Sequence, residues 1–375
     1  MIAPCVRTFL YNTGAASIPT DDFAVCHETP VDQDRENSMK AIGYKQAGAL
    51  DRADSLVDIV LDKPAPTGRD LLVKVEAVSA NPVDSKIRSS MSAPEGGWRV
   101  LGWDAAGTVE AVGEGVVNFK VGDPVFYSGS LIRQGANVEY HLVDERIVGR
   151  KPEKASYVEA AALPLTAITA WEMMFDRLDV RRGVPGAANA ILVIGGAGGV
   201  GSITIQLARA LTDLTVIATA SRPETVQWVK ELGAHHVIDH RQPLAQQVKA
   251  LGVGAPAFVF STNETKSQLS EIAELIAPQG RFGLIDDPDS LDIMGFKRKS
   301  VSVHWEFMFT RSMYGTADMG QQGELLNEVA DLIDGGSIKT TVTEVLQPIN
   351  AENLKKAHAT LESGKAKGKI VLEGF

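Results

Sequence analysis

The run Ile191-Leu-Val-Ile-Gly-Gly-Ala-Gly-Gly-Val-Gly201 constrains the fold more than any other stretch of this chain. Four apolar residues enter a Gly-x-Gly-x-x-Gly loop at Gly196, Gly198 and Gly201. The segment Ser202-Ile-Thr-Ile-Gln-Leu-Ala-Arg-Ala-Leu211 follows with helical patterning. Glycines permit a tight turn and let backbone N–H groups approach a pyrophosphate, while the helix start offers the positive end of its dipole. Such a loop alone is common; between a strand and a helix it reads as a dinucleotide cradle rather than a structural turn. Gly198, Gly199 and Val200 are then expected at the pyrophosphate, bracketed by Gly196 and Gly201.

The rhythm around this loop predicts an α/β fold. Strands expected over 191–194, 215–220, 236–239, 257–261, 281–285 and 300–307 alternate with helices over 199–211, 223–232, 242–251 and 266–277. That alternation implies a parallel sheet with right-handed crossovers. Earlier, short strands over 71–78, 107–113, 125–127 and 138–143 are separated by Gly, Asp and Pro turns, as in a compact, barrel-like β domain. Tyr157 to Leu178 reads as helical with an interruption at Pro164. A helix over 321–332 and a closing strand, Lys369–Leu372, are expected to return to the first domain. The division predicted is 39–164, completed by 315–375, and 165–314. Residues 1–38 carry Pro4, Pro19, Pro30 and scattered charge without periodicity, and read as a poorly ordered extension.

Composition narrows the chemistry. A chain of 375 residues accommodates two domains about a cleft. Its formal net charge of −10 argues against nucleic acid or an anionic membrane as partner. No apolar run reaches the roughly 18 residues needed to span a bilayer. The two cysteines, Cys5 and Cys26, both precede residue 27, so the main body has neither a disulfide framework nor a thiolate metal site, and a reducing cytoplasm fits.

The residue ending the second strand of a dinucleotide fold lies beside the adenosine ribose, where an acid favours a free 2′-hydroxyl. Here Leu214-Thr-Val-Ile-Ala-Thr-Ala220 leads into Ser221 and Arg222. A hydroxyl followed by a guanidinium suits a 2′-phosphate, so NADPH is the cofactor expected. The alternative is that Arg222 simply opens the next helix as a surface residue.

Several motifs now combine: Asn81-Pro-Val-Asp84, Leu101-Gly-Trp-Asp-Ala-Ala-Gly107, Val112-Gly-Glu-Gly115, Phe119-Lys-Val-Gly-Asp-Pro-Val125, Ala160-Ala-Ala-Leu-Pro-Leu-Thr166 and the loop at Gly195–Gly201. With His304–Met313 and Gly364-Lys-Ala-Lys-Gly-Lys-Ile-Val371, the chain from Met39 resembles the medium-chain dehydrogenase/reductase superfamily. The likeness is to its quinone-oxidoreductase-like branch of zinc-type alcohol dehydrogenase-like proteins. The resemblance implies a GroES-like β domain, a Rossmann domain and a cleft between them where NADPH meets substrate. By family position it adds Thr166, Asn263, Ile285, Phe309 and Lys369 as cofactor contacts, and a homodimer through the Val-, Trp- and Phe-rich strand at 299–307. Zinc is not expected. Where zinc-dependent relatives present a Cys and a Gly-His-Glu, this chain reads Ser79-Ala-Asn-Pro-Val-Asp84 and Gly102-Trp103-Asp104. His235, His236 and His240 read as an exposed strand edge, because alternation sends neighbours to opposite faces.

Without a Lewis acid, alcohol oxidation loses the group that stabilises its alkoxide, whereas reduction of a quinone or an α,β-unsaturated carbonyl remains open. Asn81 is the leading polar candidate near nicotinamide and substrate, or a helix cap ahead of Pro82, or both. Lys86 either donates to a developing enolate or is a solvated lysine. Asp84 either orients a neighbour or supplies charge to a first helical turn. Trp103 either lines the substrate pocket or fills core. Two rivals stand beside the reductase reading: a non-catalytic NADPH-binding protein and a zinc-dependent alcohol dehydrogenase.

Overall fold

The computed structural model describes residues 37–375. The expectation for the N-terminal extension and its two cysteines lies outside the described residues, except at Ser38, which already belongs to the first strand, Ser38–Tyr44.

Six parallel strands form one sheet, in the spatial order His236–Ile238, Thr215–Thr219, Ala188–Ile194, Pro256–Ser261, Arg281–Leu284 and Ser302–Trp305. Helices Gly199–Leu211, Pro223–Glu231, Leu244–Ala250 and Thr265–Leu275 lie between successive strands of the first five in the chain. The two central strands are buried along almost their whole length, as strands covered on both faces require. Chain order runs outward from Ala188–Ile194 in both directions. A crevice therefore opens at the carboxyl ends of Ala188–Ile194 and Pro256–Ser261, the topological switch point where such sheets bind ligands.

The first part of the chain makes a second, mostly antiparallel system. Strand Asp70–Ser79 pairs with Asp104–Val112, Tyr140–Asp144 and the final strand Lys369–Glu373. Its Lys74 and Glu76 turn outward while Val73, Val75 and Ala77 are buried, the alternation expected of a half-solvated sheet. A smaller three-stranded sheet joins Val57–Asp62, Ser38–Tyr44 and Arg99–Val100. This is the mixed architecture expected, a GroES-like β domain beside a Rossmann-type sheet.

Local differences have physical causes. Pro164 does not merely break a helix; it opens one, Pro164–Trp171, at a position that needs no amide donor. The shorter helix Tyr157–Ala161 precedes it, and a π-helical turn, Glu172–Arg177, follows. The strand expected at 300–307 shrinks to Ser302–Trp305, because Ser300 takes a left-handed φ of 50° and the chain turns again where Thr310 N–H donates to Phe307 O at 2.9 Å. Strand Asp104–Val112 begins three residues earlier than expected. The sequence reading passed over strand Val342–Leu346 and helix Ala351–Glu362. That helix had a signal: Asn350 caps it by accepting from Asn353 N–H at 2.9 Å, and Ala351, Leu354 and Ala357 recur on its buried face.

The final strand fixes how the two systems meet. Val371, Leu372 and Glu373 pair with Ser79, Val78 and Ala77. Immediately before them, Gly368 bridges to Gly198 of the glycine loop, its N–H donating to Ala197 O at 2.9 Å. Lys369 is thereby placed between the two.

Candidate active site

Each glycine of the loop answers a different demand. Gly195 takes φ of +79°, the left-handed region, at the end of its strand. A Cβ on Gly201 would collide with the Gly195 carbonyl and Gly196 Cα, so the helix start can sit this close to the turn only without a side chain. Gly199 is crowded from the other side: a Cβ there would lie 2.9 Å from Lys369 Cδ and 3.1 Å from Thr166 Cγ2. Gly198 is unlike them, since a Cβ would meet only the Gly195 carbonyl, at an ordinary 3.5 Å. The protein's own packing does not demand a glycine there. The backbone at Gly198, Gly199 and Val200 is half-exposed and heads a helix of 13 residues, the surroundings an anionic pyrophosphate needs.

Across the crevice lies a buried polar cluster. Asn81 heads helix Pro82–Ser90 in extended geometry, and its backbone N–H donates to Asp84 Oδ2 at 2.7 Å. Its side-chain Nδ2 donates to Asp104 Oδ2 at 2.8 Å and to Ser79 O at 3.2 Å, and its Oδ1 accepts from Lys369 Nζ. Both amide hydrogens expected to serve a ligand therefore already have acceptors in the protein. Lys369 Nζ also donates to Ala80 O at 3.0 Å and to Asp104 Oδ2 at 3.1 Å. Asp104 completes its shell by accepting from Leu165 N–H at 2.6 Å. Asn81, Asp84, Asp104 and Lys369 are all at most 3% exposed. Asp104 was named in the sequence only as part of a motif. The signal available was a carboxylate opening the apolar strand Asp104-Ala-Ala-Gly, which burial tolerates only beside a cation or several donors.

Burial pushes the Asp84 carboxyl up to about 7, against the downward pull of the Asn81 N–H and the Lys369 charge, with Asp104 adding a smaller upward push. Among the described residues its second oxygen has no donor at hydrogen-bonding geometry. Lys86 points elsewhere. It is exposed and paired with Asp287 at 2.6 Å, joining the helix headed by Asn81 to the loop after strand Arg281–Leu284.

Trp103 is buried, its Nε1 donating to Ser130 O at 3.0 Å. Its ring meets Phe309 edge-to-face at 6.0 Å, and Phe309 meets Phe307 in the same manner at 5.5 Å. Phe307 is 47% exposed, so an aromatic series runs from the interior to the surface. Thr166 is buried, with its methyl toward the loop and its hydroxyl on Leu163 O at 3.1 Å. Asn263 is exposed, its Oδ1 against Gly195, and Ile285 is half-buried after its strand.

At the tip of the second strand, Ser221 and Arg222 are half-buried. Arg222 donates through Nη2 to Lys365 O at 3.0 Å and pairs through Nε with Glu224 at 3.1 Å. The sequence reading missed Arg241, whose Nη2 donates to Ser221 O at 2.9 Å while its fork grips Asp239. Its position after the third strand gave no local signal. Only the parallel pairing of Thr215–Thr219 with His236–Ile238 brings it to Ser221.

Profiles described as Alcohol dehydrogenase GroES-like domain and Zinc-binding dehydrogenase match residues 67–169 and 232–372. The chain is 40% identical over 338 residues to a zinc-type alcohol dehydrogenase-like protein of Staphylococcus aureus, covering 89% of this chain and 99% of that relative. A solved structure from Rhizobium etli CFN 42, assigned to the zinc-dependent alcohol dehydrogenases, superposes with a TM-score of 0.89 at 65% identity, covering 90% of this chain and 98% of the other. A quinone oxidoreductase of Pseudomonas syringae superposes at 0.75 with 27% identity, over 89% and 99% of the two chains. The chain belongs to the medium-chain dehydrogenase/reductase superfamily. It is an oxidoreductase of that superfamily's zinc-type alcohol dehydrogenase-like group.

The zinc in the family's name does not fit the residues present. Among the described residues no group of three or more His, Cys, Asp or Glu side chains could hold a metal ion. In the motif where zinc-dependent relatives carry a His stands the buried ring of Trp103. The Asp104 carboxylate is already engaged by Lys369, Asn81 and the Leu165 amide. A tetrahedral zinc needs a set of free Cys, His or carboxylate ligands.

Two outcomes follow. Lys369→Met strands Asp104 and is expected to lower stability by about 3–5 kcal/mol in urea unfolding, with Lys369→Arg losing less. Adding Asp104→Asn to Lys369→Met should recover part of that loss, whereas strict additivity would show the pair to be uncoupled. Asp84 keeps its proton to about pH 7 when folded but only to about 3.8 unfolded, so the stability it contributes is full below pH 3.8 and lost as pH rises through 7. Asp84→Asn should remove a slope of up to about 1.4 kcal/mol per pH unit across that window, and an unaltered slope would refute the assignment.

Proposed function

We propose that this protein is a zinc-independent, NADPH-dependent reductase of quinones or α,β-unsaturated carbonyls. The observation that carries the reading is the glycine loop at the switch point of the parallel sheet, with Ser221, Arg222 and Arg241 gathered at the tip of the next strand. In this reading residues 165–314 form the cofactor domain, and 39–164 with 315–375 form the catalytic domain.

A reduced nicotinamide, when bound, would supply a hydride. The chain's own residues bind, orient and exclude water. Backbone N–H groups of Gly198, Gly199 and Val200 would hold the pyrophosphate, and the guanidiniums of Arg222 and Arg241 with the Ser221 hydroxyl would hold the 2′-phosphate. Thr166, Asn263, Ile285 and Phe309 would border the nicotinamide end. Lys369 acts through its stem, which bounds Gly199, and through its ammonium, which fixes Asn81 and Asp104. Asn81 and Asp84 are then positioning residues, because the Asn81 amide is spent within the protein and Asp84 holds the Asn81 N–H. Phe307, exposed and backed by the buried rings of Phe309 and Trp103, would offer an acceptor an apolar aromatic surface, which suits a planar conjugated carbonyl better than a small alcohol. Such an acceptor spreads the charge left by hydride addition through its own conjugation, so a metal is not required.

The test is NADPH consumption with a panel of quinones, enones and aldehydes before and after EDTA treatment. Turnover of conjugated acceptors that survives chelation is expected. NADPH binding without any turnover, or activity restored only by zinc, would overturn the reading. Arg222→Gln combined with Arg241→Gln should weaken NADPH binding by roughly tenfold or more while changing NADH binding little.

The strand Ser302–Trp305 lies at the edge of its sheet, and Trp305 and Phe307 are each about half exposed. An open edge with large apolar neighbours invites pairing with its symmetry mate, and a homodimer is the assembly we infer. Sedimentation should give a dimer that Trp305→Glu weakens; a monomeric wild-type protein would count against it.

A further inference from the structure

Behind the aromatic wall two glutamates face each other without a donor between them. Glu172 opens the π-helical turn that follows helix Pro164–Trp171, and Glu306 stands just past the edge strand, at the head of the segment carrying Phe307, Met308 and Phe309. Glu172 is 0% exposed and Glu306 3%. One oxygen of each is well served: Glu172 Oε1 accepts from Arg311 Nη1 at 2.7 Å and Gln322 Nε2 at 3.0 Å, and Glu306 Oε2 accepts from Arg177 Nε at 2.8 Å. The remaining oxygens, Glu172 Oε2 and Glu306 Oε1, are buried and have no donor among the described residues. Arg177, which grips Glu306, stands on the same π-helical turn as Glu172, so the two carboxyls are neighbours and the Glu172 charge acts on Glu306.

An ionised carboxylate only accepts, so two of them in contact leave both oxygens unsatisfied and repel. One proton held between them converts that contact into a charge-assisted O–H···O⁻ bond and satisfies both. We infer that Glu172 and Glu306 share one proton, and that this bond positions the Phe307–Phe309 wall of the cleft.

The surroundings favour retention of that proton. Burial is the main push on the Glu306 carboxyl, followed by the Glu172 charge and the bond between the two, and together they lift it to about 9 against the pull of Arg177. The other groups facing the pair are Asp176 on the same turn, Arg311 on the short helix Thr310–Tyr314, and Asp318 on the loop beyond it, with neutral Gln322 above. His304, two residues before Glu306, is held below the usual imidazole range by burial and by the Arg281 and Arg177 charges, so it adds no cation at neutral pH. Four carboxylates thus confront two guanidiniums, and the shared proton halves the excess negative charge. The mechanical link is direct. Gln322 Nε2, which donates to Glu172, also donates to Met308 O at 2.6 Å, and Phe309 next to it carries the contact with Trp103.

Loss of the proton therefore sets two buried carboxylates against each other at the root of the aromatic wall. The consequence for acceptor binding rests on the reductase reading; the proton itself does not. Infrared difference spectra of the full chain, taken from about pH 8 upward where Asp84 has already titrated, should show a protonated-carboxyl carbonyl band that disappears through about pH 9. The band should be missing in Glu306→Gln, whose amide supplies a permanent donor to Glu172. With a quinone acceptor, KM should rise severalfold above about pH 9 in the wild type with a smaller change in kcat, and stay level in Glu306→Gln. A wild-type spectrum without the band, or a variant with the wild-type alkaline rise in KM, would overturn the proposal. If no acceptor is turned over, the reductase reading fails while the wild-type band still decides the pair. The same holds if Glu306→Gln does not fold.

Discussion

The buried ammonium of Lys369 is the contact on which the rest of the site depends. It meets Asp104 on one strand and the Ala80 carbonyl and Asn81 side chain just ahead of helix Pro82–Ser90, while its aliphatic stem bounds Gly199 of the glycine loop. An ion pair this deep carries a large desolvation cost and is tolerated only because every polar atom in it has a partner. Its service lies in geometry: the final strand cannot shift without stranding Asp104, and Asp104 cannot shift without releasing the amide that begins the helix of Thr166. Glycine loop, helix Pro164–Trp171 and helix Pro82–Ser90 are in this way referred to one fixed point.

The cluster also gives physical content to a family name that does not suit this chain. A metal site needs ligand atoms that face a common void and are not already spoken for. Here the ring of Trp103 fills space, and the carboxylate of Asp104 and the amide of Asn81 are consumed by a lysine. A cation is present, but it is covalently part of the protein and its three protons all go to protein acceptors. It can fix its neighbours and cannot accept an alkoxide as a ligand.

What could be read from the sequence follows the range of the forces involved. The glycine loop was legible because its turn, its strand and its helix are contiguous, and the parallel sheet because each buried strand is an apolar run. Lys369 was reached only through family likeness, as a cofactor contact, and the structure adds its partners Asn81 and Asp104, which lie 288 and 265 residues away. Asn81 reads from the sequence as a polar candidate near nicotinamide and substrate or as a helix cap, and neither reading carries a sign of that pairing, since one position shows nothing of a partner so distant. Arg241 and Glu306 escaped notice for the same reason: each matters through a neighbour supplied by another strand or helix. Helix Ala351–Glu362 is the different case. Its cap and period were present, and only its modest hydrophobicity hid it.

The contacts between the two sheet systems are unequal, and the inequality is informative. Lys86 and Asp287 join them at the mouth of the cleft with side chains 51% and 37% exposed, a pair worth under about 1 kcal/mol and weakened by salt. Lys369 and the Gly368–Gly198 bridge join them at the base, where the ion pair is buried and the link includes backbone hydrogen bonding. Separating the domains therefore costs far less at the mouth than at the base. Yielding at Lys86 would leave the relation between the glycine loop, Thr166 and the Asn81 helix preserved. The aromatic wall sits on neither joint but on the Glu172–Glu306–Arg311 cluster, so its position is set separately from the closure of the domains.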